Sequence, residues 1–316
     1  MKKTTKQKEM RLSKNASLKK RILDNWDLYL MLLVPIILLL IFCYYPMAGL
    51  QIAFKKYSVS GGIWGSKWVG FDQFAKMFRT VKFGQSFMNT IKLSVYLLMV
   101  ESLITVAFAL IMNVIRSKFY KKTVQMVTYM PHFISTVIMV GILTQILNPR
   151  IGMYGNICSM LGIEAVDVWS KASAFRHLYV WSSVWQEVGW NSVIYLAALS
   201  SVDQSLYEAS SIDGASRIKQ ILYVDFPCIL PTFVILFIMR VGSMMSLGYE
   251  KTLLMQNSLN LSASEIISTY SYKVGLQDNT DYSYGTAIGL FNSVINLALM
   301  WFVNLLSRRI TETSLW

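Results

Sequence analysis

The sequence predicts an all-α integral membrane protein with six transmembrane helices, on three observations. Of its 316 residues, 54% are hydrophobic and only 15% are charged, against roughly 25% charged in soluble domains. Long apolar runs recur at about residues 28–48, 87–113, 123–147, 178–200, 228–248 and 283–306. Each has the roughly 20 residues needed to cross a ~30 Å hydrocarbon core. The runs are helices rather than isolated strands because a lone helix satisfies its own backbone hydrogen bonds in lipid.

The chain opens on Lys2, Lys3, Lys6, Lys8, Arg11, Lys14, Lys19, Lys20 and Arg21, directly before the first run. A basic juxtamembrane tail sets topology and binds anionic lipid. The net charge of +13 does not imply nucleic-acid binding, because the tail carries neither interleaved aromatics nor a recognisable module. The run from Leu28 to Tyr45 is too long for a signal-peptide core, and no small-residue cleavage site follows it, so it reads as an uncleaved first span. Beyond it lies an external loop rich in Lys55, Lys56, Lys67, Lys76, Arg79 and Lys82 against Asp72. That loop runs against the positive-inside rule. Arg116, Lys118, Lys121 and Lys122 after the second run, and Arg308 and Arg309 after the last, obey it. An even number of spans then puts both termini in the cytoplasm.

Catalytic signatures are missing from the sequence. There is no Gly-x-x-x-x-Gly-Lys-Ser/Thr loop to cradle phosphates, no Gly-x-Ser-x-Gly elbow and no metal-binding helix motif. Cys43, Cys158 and Cys228 lack the spacing of a disulfide framework or a zinc site. His132 and His177 are too few and too far apart for a metal cluster and read as packing residues. Three ionisable residues fall deep inside runs: Glu101, Glu187 and Arg240. Burying charge there costs several kcal/mol, so each is expected to face the bundle interior or a wet cavity. Arg240 lies roughly 13 Å past Pro231 along a helix, and Glu187 lies midway along its own run. The two are expected at similar depth, as a salt bridge or along a polar path. Lys92, near a span end, is expected to snorkel.

Between two apolar runs sits a small polar island, Tyr207-Glu208-Ala209-Ser210-Ser211-Ile212-Asp213-Gly214-Ala215, followed by Pro227 and Pro231. Leu206, Ala209 and Ser210 fit one short helix, and Ile218, Ile221 and Leu222 a second. Gly214 between them frees the backbone to turn. The expected shape is helix, elbow, helix, a knob that another protein can grip.

This island resembles the EAA loop of permease subunits of bacterial ABC importers. The match rests on Glu208-Ala209-Ser210, Asp213-Gly214-Ala215 and Val224-Asp225-Phe226-Pro227. It departs in Ser210 for a second Ala, and in Val224 and Phe226 for Ile and Leu. Tyr45 to Lys55, Gly62 to Gly70, Ile267 to Tyr270 and Tyr284 to Phe291 resemble the narrower group that imports oligosaccharides or polysaccharide fragments. Phe87-Met88-Asn89-Thr90 is similar to the opening of the shared permease core. The Gly-Trp segment also suits a plain aromatic belt at the outer interface.

The resemblance implies the type I ABC importer permease fold with a MetI-like core. It divides the chain into a basic cytoplasmic tail (1–25), a first transmembrane helix with external loop (26–86), a permease core (87–310) and a cytoplasmic C-terminal end (311–316). The core would carry a coupling loop over about 201–227. The residues expected to couple to an ATPase are Glu208, Ala209, Ser210, Asp213, Gly214, Ala215 and Pro227. The chain itself would hold no cofactor, since ATP and Mg would be bound by a cytoplasmic ABC ATPase dimer. The other implied partners are a second homologous permease subunit, an extracytoplasmic sugar-binding lipoprotein, the oligosaccharide and membrane lipids. ATP binding would draw the two coupling loops together and rock the spans from inward-open to outward-open.

A sugar path uses aromatics for stacking and amides or acids for hydroxyls. Its expected residues are Trp185, Glu187, Trp190, Asn191, Tyr195, Arg240, Tyr249, Asn292 and Asn296. Two rivals compete with this reading. An ion-coupled secondary carrier of a polar solute would want inverted repeats and a midplane acid, and no repeat is seen. A membrane-embedded glycosyl-chain enzyme would need an acid cluster, for which the segment 278–281 is the one weak match.

Overall fold

Helices make up nearly all the regular structure. The computed structural model describes residue 20 and residues 24–277, 280–310 and 314–315. The expected basic tail and C-terminal end lie mostly outside the described residues, as does Asp278 of the acidic segment.

Among the described residues, four helices are long and apolar enough to cross a membrane: Trp26–Phe54, Val81–Val114, Arg217–Gly242 and Tyr282–Arg309. A fifth span results if the bent pair Lys118–Phe133 and Thr136–Ile146 counts as one. The remaining expected span is the helix Ala172–Ser200, which has the length, 29 residues, but not the apolarity. The reason is its position. It is the central helix, packed along Val81–Val114, and it buries Ser182, Ser183, Gln186 and Ser192. A helix face packed against protein keeps polar residues that lipid would not tolerate. The first span is its opposite, with no buried residue from Trp26 to Met47. Among the described residues its main contact with the bundle is through its last turns, Ala48–Phe54, which lie on the final helix.

Two spans depart from the continuous helices expected. The run 123–147 is broken, its halves meeting at 102°. Pro131 sits in a 3-10 turn, Met130–Phe133. Proline supplies no N–H and disfavours helix in the residue before it. Ser135 then restarts the chain as an N-cap, its Oγ accepting from the Ile138 amide at 3.4 Å. The run 228–248 is shifted. Its helix starts at Arg217, passes through a π turn at Ile221–Asp225 and ends at Gly242. Pro227 and Pro231 do not end it. The π turn has already interrupted the regular backbone ladder where the Pro227 N–H would be missed.

The loop after the first span folds into a cap. Lys55–Lys56 pairs antiparallel with Lys67–Trp68. Phe54 stacks on Trp68 at 5.8 Å and meets Phe71 edge-on at 5.5 Å. Lys55 is buried, and its Nζ donates to the Ile63 carbonyl at 2.8 Å. The cap is tied to the last helix by the Tyr57 amide donating to Ser283 Oγ at 2.9 Å, and by a Lys76–Asp281 ion pair at 2.8 Å. Trp64 and Trp68 remain largely exposed, as an interfacial belt requires. The excess of positive charge in this loop is thus partly absorbed by carbonyls, aromatic faces and one aspartate.

The central helix approaches the broken span tightly at Gly189. A Cβ there would stand 2.2 Å from the Thr128 carbonyl oxygen and 2.5 Å from its carbon. Backbone cannot swing aside as a flexible side chain can. Gly189→Ala is therefore expected to lower stability by about 1–3 kcal/mol, the usual cost of overpacking. Thermal unfolding of the detergent-purified protein measures it, and an unchanged midpoint would show that the two helices separate freely.

Candidate functional site

Two polar constructions stand out, one at an elbow and one deep in the bundle. The elbow begins at Asp203, whose Oδ1 caps the next helix by accepting from the Ser205 amide at 2.9 Å. That bond, made by backbone, holds the Asp203 carboxyl below its usual range. The elbow helix, Gln204–Ile212, follows. It ends where the Ala215 amide returns to the Ser210 carbonyl at 2.9 Å, with Gly214 at φ +70°. This is a left-handed helix terminus of the kind glycine favours. Ser216 caps the next helix, which runs without a break into the span ending at Gly242. The second helix of the expected pair is therefore the root of a span rather than a separate piece.

Glu208, Ala209, Asp213, Gly214 and Pro227 are exposed, and Ser210 and Ala215 half-buried. Large apolar side chains stand out around them: Ile212 is 86% and Ile218 69% exposed. The elbow helix buries no residue of its own. Polar contacts hold it instead. Gln220, itself buried, donates through Nε2 to Ser210 Oγ at 3.0 Å and Ser211 Oγ at 3.1 Å. Tyr207 donates its hydroxyl to the buried Asp225 carboxylate. A groove of 670 Å³ runs beneath, lined by Asn113, Arg116, Tyr207, Glu208, Arg217 and Asp225 among others.

The deep construction is a chamber of 340 Å³ between the Val81–Val114 helix, the central helix and the end of the Arg217–Gly242 helix. Glu101, Glu187, Asn191, Arg240, Tyr179 and Ser94 are among its walls. The expected Glu187–Arg240 pair does not form. Arg240 Nη2 meets Glu101 Oε1 at 3.1 Å, and Asn191 Nδ2 donates to the same oxygen at 2.7 Å. Arg240 lies in the last turn of its helix, where the helix dipole favours a cation. Glu187 turns to the broken span and pairs with His132 Nδ1 at 2.8 Å. The His132 ring lies flat on Trp190, 4.6 Å between centroids and 3° between planes. The reason for the exchange of partners is rotational. Glu101 and Arg240 occupy facing sides of neighbouring helices, whereas Glu187 faces the kink opened by Pro131.

The other expected path residues separate. Tyr195 is buried in a core with Val106, Ala109, Leu199 and Ile229. Trp185 lines an apolar recess with Leu143, Leu147 and His177, away from the chamber. Tyr249 and Asn292 share a second groove with Ser271 and Thr286. Asn292 and Asn296 act as braces. Asn292 Nδ2 donates to the Met245 carbonyl at 3.1 Å, and Asn296 Oδ1 accepts from the Met245 amide at 2.9 Å. Asn296 Nδ2 reaches Ser246 Oγ at 2.8 Å. They fix the turn that closes the chamber floor.

Sequence reasoning assigned His132 a packing role and passed over Lys251. Lys251 is buried, with Nζ donating to the Tyr179 carbonyl at 3.1 Å and to Ser183 Oγ at 2.5 Å. It also sits 4.6 Å over the Tyr179 ring. It lies in the short helix Tyr249–Met255, on the face it shares with the buried Thr252 and Met255, and a lone lysine in so short an element reads as solvated. For His132 the usable signal was Pro131 in an apolar run, which marks a break that a polar side chain can fill. Among the described residues no group of His, Cys, Asp or Glu is arranged to hold a metal ion.

Comparison with known proteins gives a consistent result. Residues 102–312 match the family described as binding-protein-dependent transport system inner membrane component. The chain is 38% identical over 293 residues to Protein LplB of Bacillus subtilis (strain 168), covering 93% of this chain and 92% of that one. It is 35% identical over 296 residues to the polygalacturonan/rhamnogalacturonan transport system permease protein YteP of the same organism, covering 94% and 92%. Its fold matches a chain of a bacterial alginate ABC transporter, solved in complex with an alginate pentasaccharide-bound periplasmic protein. There the TM-score is 0.86 at 39% identity, over 94% of this chain and 99% of the other.

Proposed function

Because the chain belongs to the family of inner membrane components of binding-protein-dependent transport systems, we propose that it forms half of the path by which a cell imports an acidic oligosaccharide. The family's members are permease subunits of ABC importers, so the chain is a transport subunit and not itself an enzyme. The other half of the path is a second homologous permease. A cytoplasmic ATPase dimer binds ATP and Mg and grips the elbow. An extracytoplasmic binding lipoprotein delivers the sugar. Membrane lipids cover the outer faces, and both termini lie in the cytoplasm, with six spans between them.

The observation that carries this reading is the elbow. It presents exposed Ile212 and Ile218 beside Glu208 and Asp213, and exposed apolar patches rimmed by polar residues mark protein contacts. It is also continuous with a membrane helix, so a push on it is a push on the span. Glu208, Ala209, Ser210, Asp213, Gly214 and Ala215 belong to the docking region, and Pro227 to its junction with the span. An ion-coupled carrier has no use for such an elbow.

The chamber supports the substrate half of the proposal. Glu101, Glu187, Asn191, Arg240 and Tyr179 offer donors, acceptors and a ring, the groups that recognise hydroxyls and sugar faces. Trp190 supports it from behind His132. Tyr249 and Asn292, in the neighbouring groove, extend the path. The acidic character of the cargo follows the names of the polygalacturonan and alginate relatives.

Reconstitution in proteoliposomes with both permeases, the ATPase and the binding protein tests the reading. Uronate oligosaccharide on the binding protein is expected to stimulate ATP hydrolysis and to enter the vesicles. Stimulation indifferent to sugar would defeat the substrate assignment. The chain purified alone is expected to hydrolyse no ATP, since no phosphate-cradling loop exists in it. Hydrolysis by a preparation shown free of other subunits would overturn the division of labour.

A further inference from the structure

We propose that Asp225 is a positioning residue, a polar latch that fixes the elbow helix to the helices on both sides so that displacing the elbow moves both. The inference rests on the reading of the elbow as the coupling site and adds how the motion leaves it. Asp225 is 2% exposed and closes the π turn that joins the elbow to the Phe226–Gly242 helix. Its carboxylate accepts from the Tyr207 hydroxyl on the elbow helix. It also accepts from Asn113 Nδ2 at 3.2 Å, at the end of the Val81–Val114 helix. Asn113 Nδ2 reaches the Tyr207 hydroxyl too, at 3.3 Å. Three elements therefore meet on one buried carboxylate.

The latch matters because the elbow helix has no fully buried side chain to anchor it, which leaves hydrogen bonds a large share in orienting it on the bundle. Gln220 holds its far end to the residues just beyond Gly214, which leaves the elbow rigid in itself. Among the described residues, the Tyr207–Asp225–Asn113 cluster is what ties it by hydrogen bonds to a helix remote in sequence. Burial, and after it the Asp225 carboxylate, push the Tyr207 phenol up to about 12, so it is a donor at any physiological pH. Hydrogen bonds to ionised groups are the strong ones, and a buried carboxylate is costly to leave with fewer donors.

The test uses the complete importer with Asp225→Asn, Tyr207→Phe, the double variant and Glu208→Lys. Uptake per ATP hydrolysed, co-purification of the ATPase and the unfolding midpoint are measured together. In each single latch variant the ATPase is expected to stay bound, with Tyr207→Phe lowering the midpoint slightly and Asp225→Asn, which removes the charge that needs donors, leaving it near wild type. Uptake per ATP is expected to fall about tenfold, the scale of one lost hydrogen bond to a charged group. The double variant is expected to be no worse than the worse single, because the two residues act as one contact. Wild-type uptake per ATP in both singles, or additive losses in the double, would overturn the latch. So would losses that follow the unfolding midpoint, since Asp225 would then be structural only. If the latch variants are silent while Glu208→Lys uncouples, the coupling reading stands without the latch. If Glu208→Lys is silent as well, the coupling reading itself falls.

Discussion

Arg240→Met alone is expected to harm folding and transport more than Arg240→Met combined with Glu101→Gln. Removing one partner of a buried ion pair costs about 3–5 kcal/mol, because the other charge is left without compensation. Arg240 is engaged by Glu101 at 3.1 Å, and the side chains are 29% and 12% exposed. Asn191 donates to the same Glu101 oxygen at 2.7 Å, so the single variant leaves a carboxylate with one amide for company in the middle of a membrane helix. The double variant removes both charges and leaves a neutral amide beside Asn191. Unfolding midpoints in detergent and sugar uptake in vesicles read the two arms. The control is Glu187→Gln. Glu187 pairs with His132, so this change is expected to show no coupling to Arg240 in a double-mutant cycle. Coupling of Arg240 to Glu187, with none to Glu101, would mean that the helices sit rotated from the arrangement described.

That control marks where sequence reasoning ended. Depth along a helix is countable, and Glu101, Glu187 and Arg240 were all placed inside the membrane by counting. Rotation about the helix axis is set by packing against neighbours, and with three ionisable groups at similar depth it selects the pairs. The kink at Met130–Phe133 decides the matter for Glu187 by offering it His132. Pro131 was visible in the sequence, but the apolar run continues on both sides of it and hides the break. The central helix posed the reverse problem, since its buried serines and Gln186 lower its apolarity while its length stays that of a span. Lys251 was hidden because a single lysine in a seven-residue helix, Tyr249–Met255, carries no local sign of its burial. The elbow was legible because its determinants are local: two short helical spacings on either side of Gly214 place the turn without reference to any distant helix. Its mode of attachment, through Asn113 and Asp225, was not legible, since that contact joins residues remote in sequence.

The elbow also yields the second large effect. Gly214→Val is expected to release the ATPase, or abolish sugar-stimulated hydrolysis, while the partner permease remains bound. Gly214 has φ +70° with open space where a Cβ would go, so the variant meets no clash. What it meets is backbone strain, roughly 1–2 kcal/mol for a residue with a Cβ in the left-handed region, and more for a branched one. That is enough to distort a short turn held by two backbone bonds, Gly214 to Ser211 and Ala215 to Ser210, and by Gln220 across it. The distortion moves Ile212 relative to Ile218, the exposed apolar residues on either side of the turn. Glu208→Lys attacks the same elbow without touching the backbone, by reversing one exposed charge. It is expected to weaken ATPase binding in a salt-dependent way, since exposed pairs are screened. The pair of variants separates shape from charge. Exposed loop substitutions ordinarily cost within about 0.5 kcal/mol, so an elbow with no partner would tolerate the Glu208 change fully. Wild-type co-purification and wild-type stimulated hydrolysis in both variants would show that the exposed Ile212 and Ile218 meet nothing, and the ATPase would have to engage the chain elsewhere.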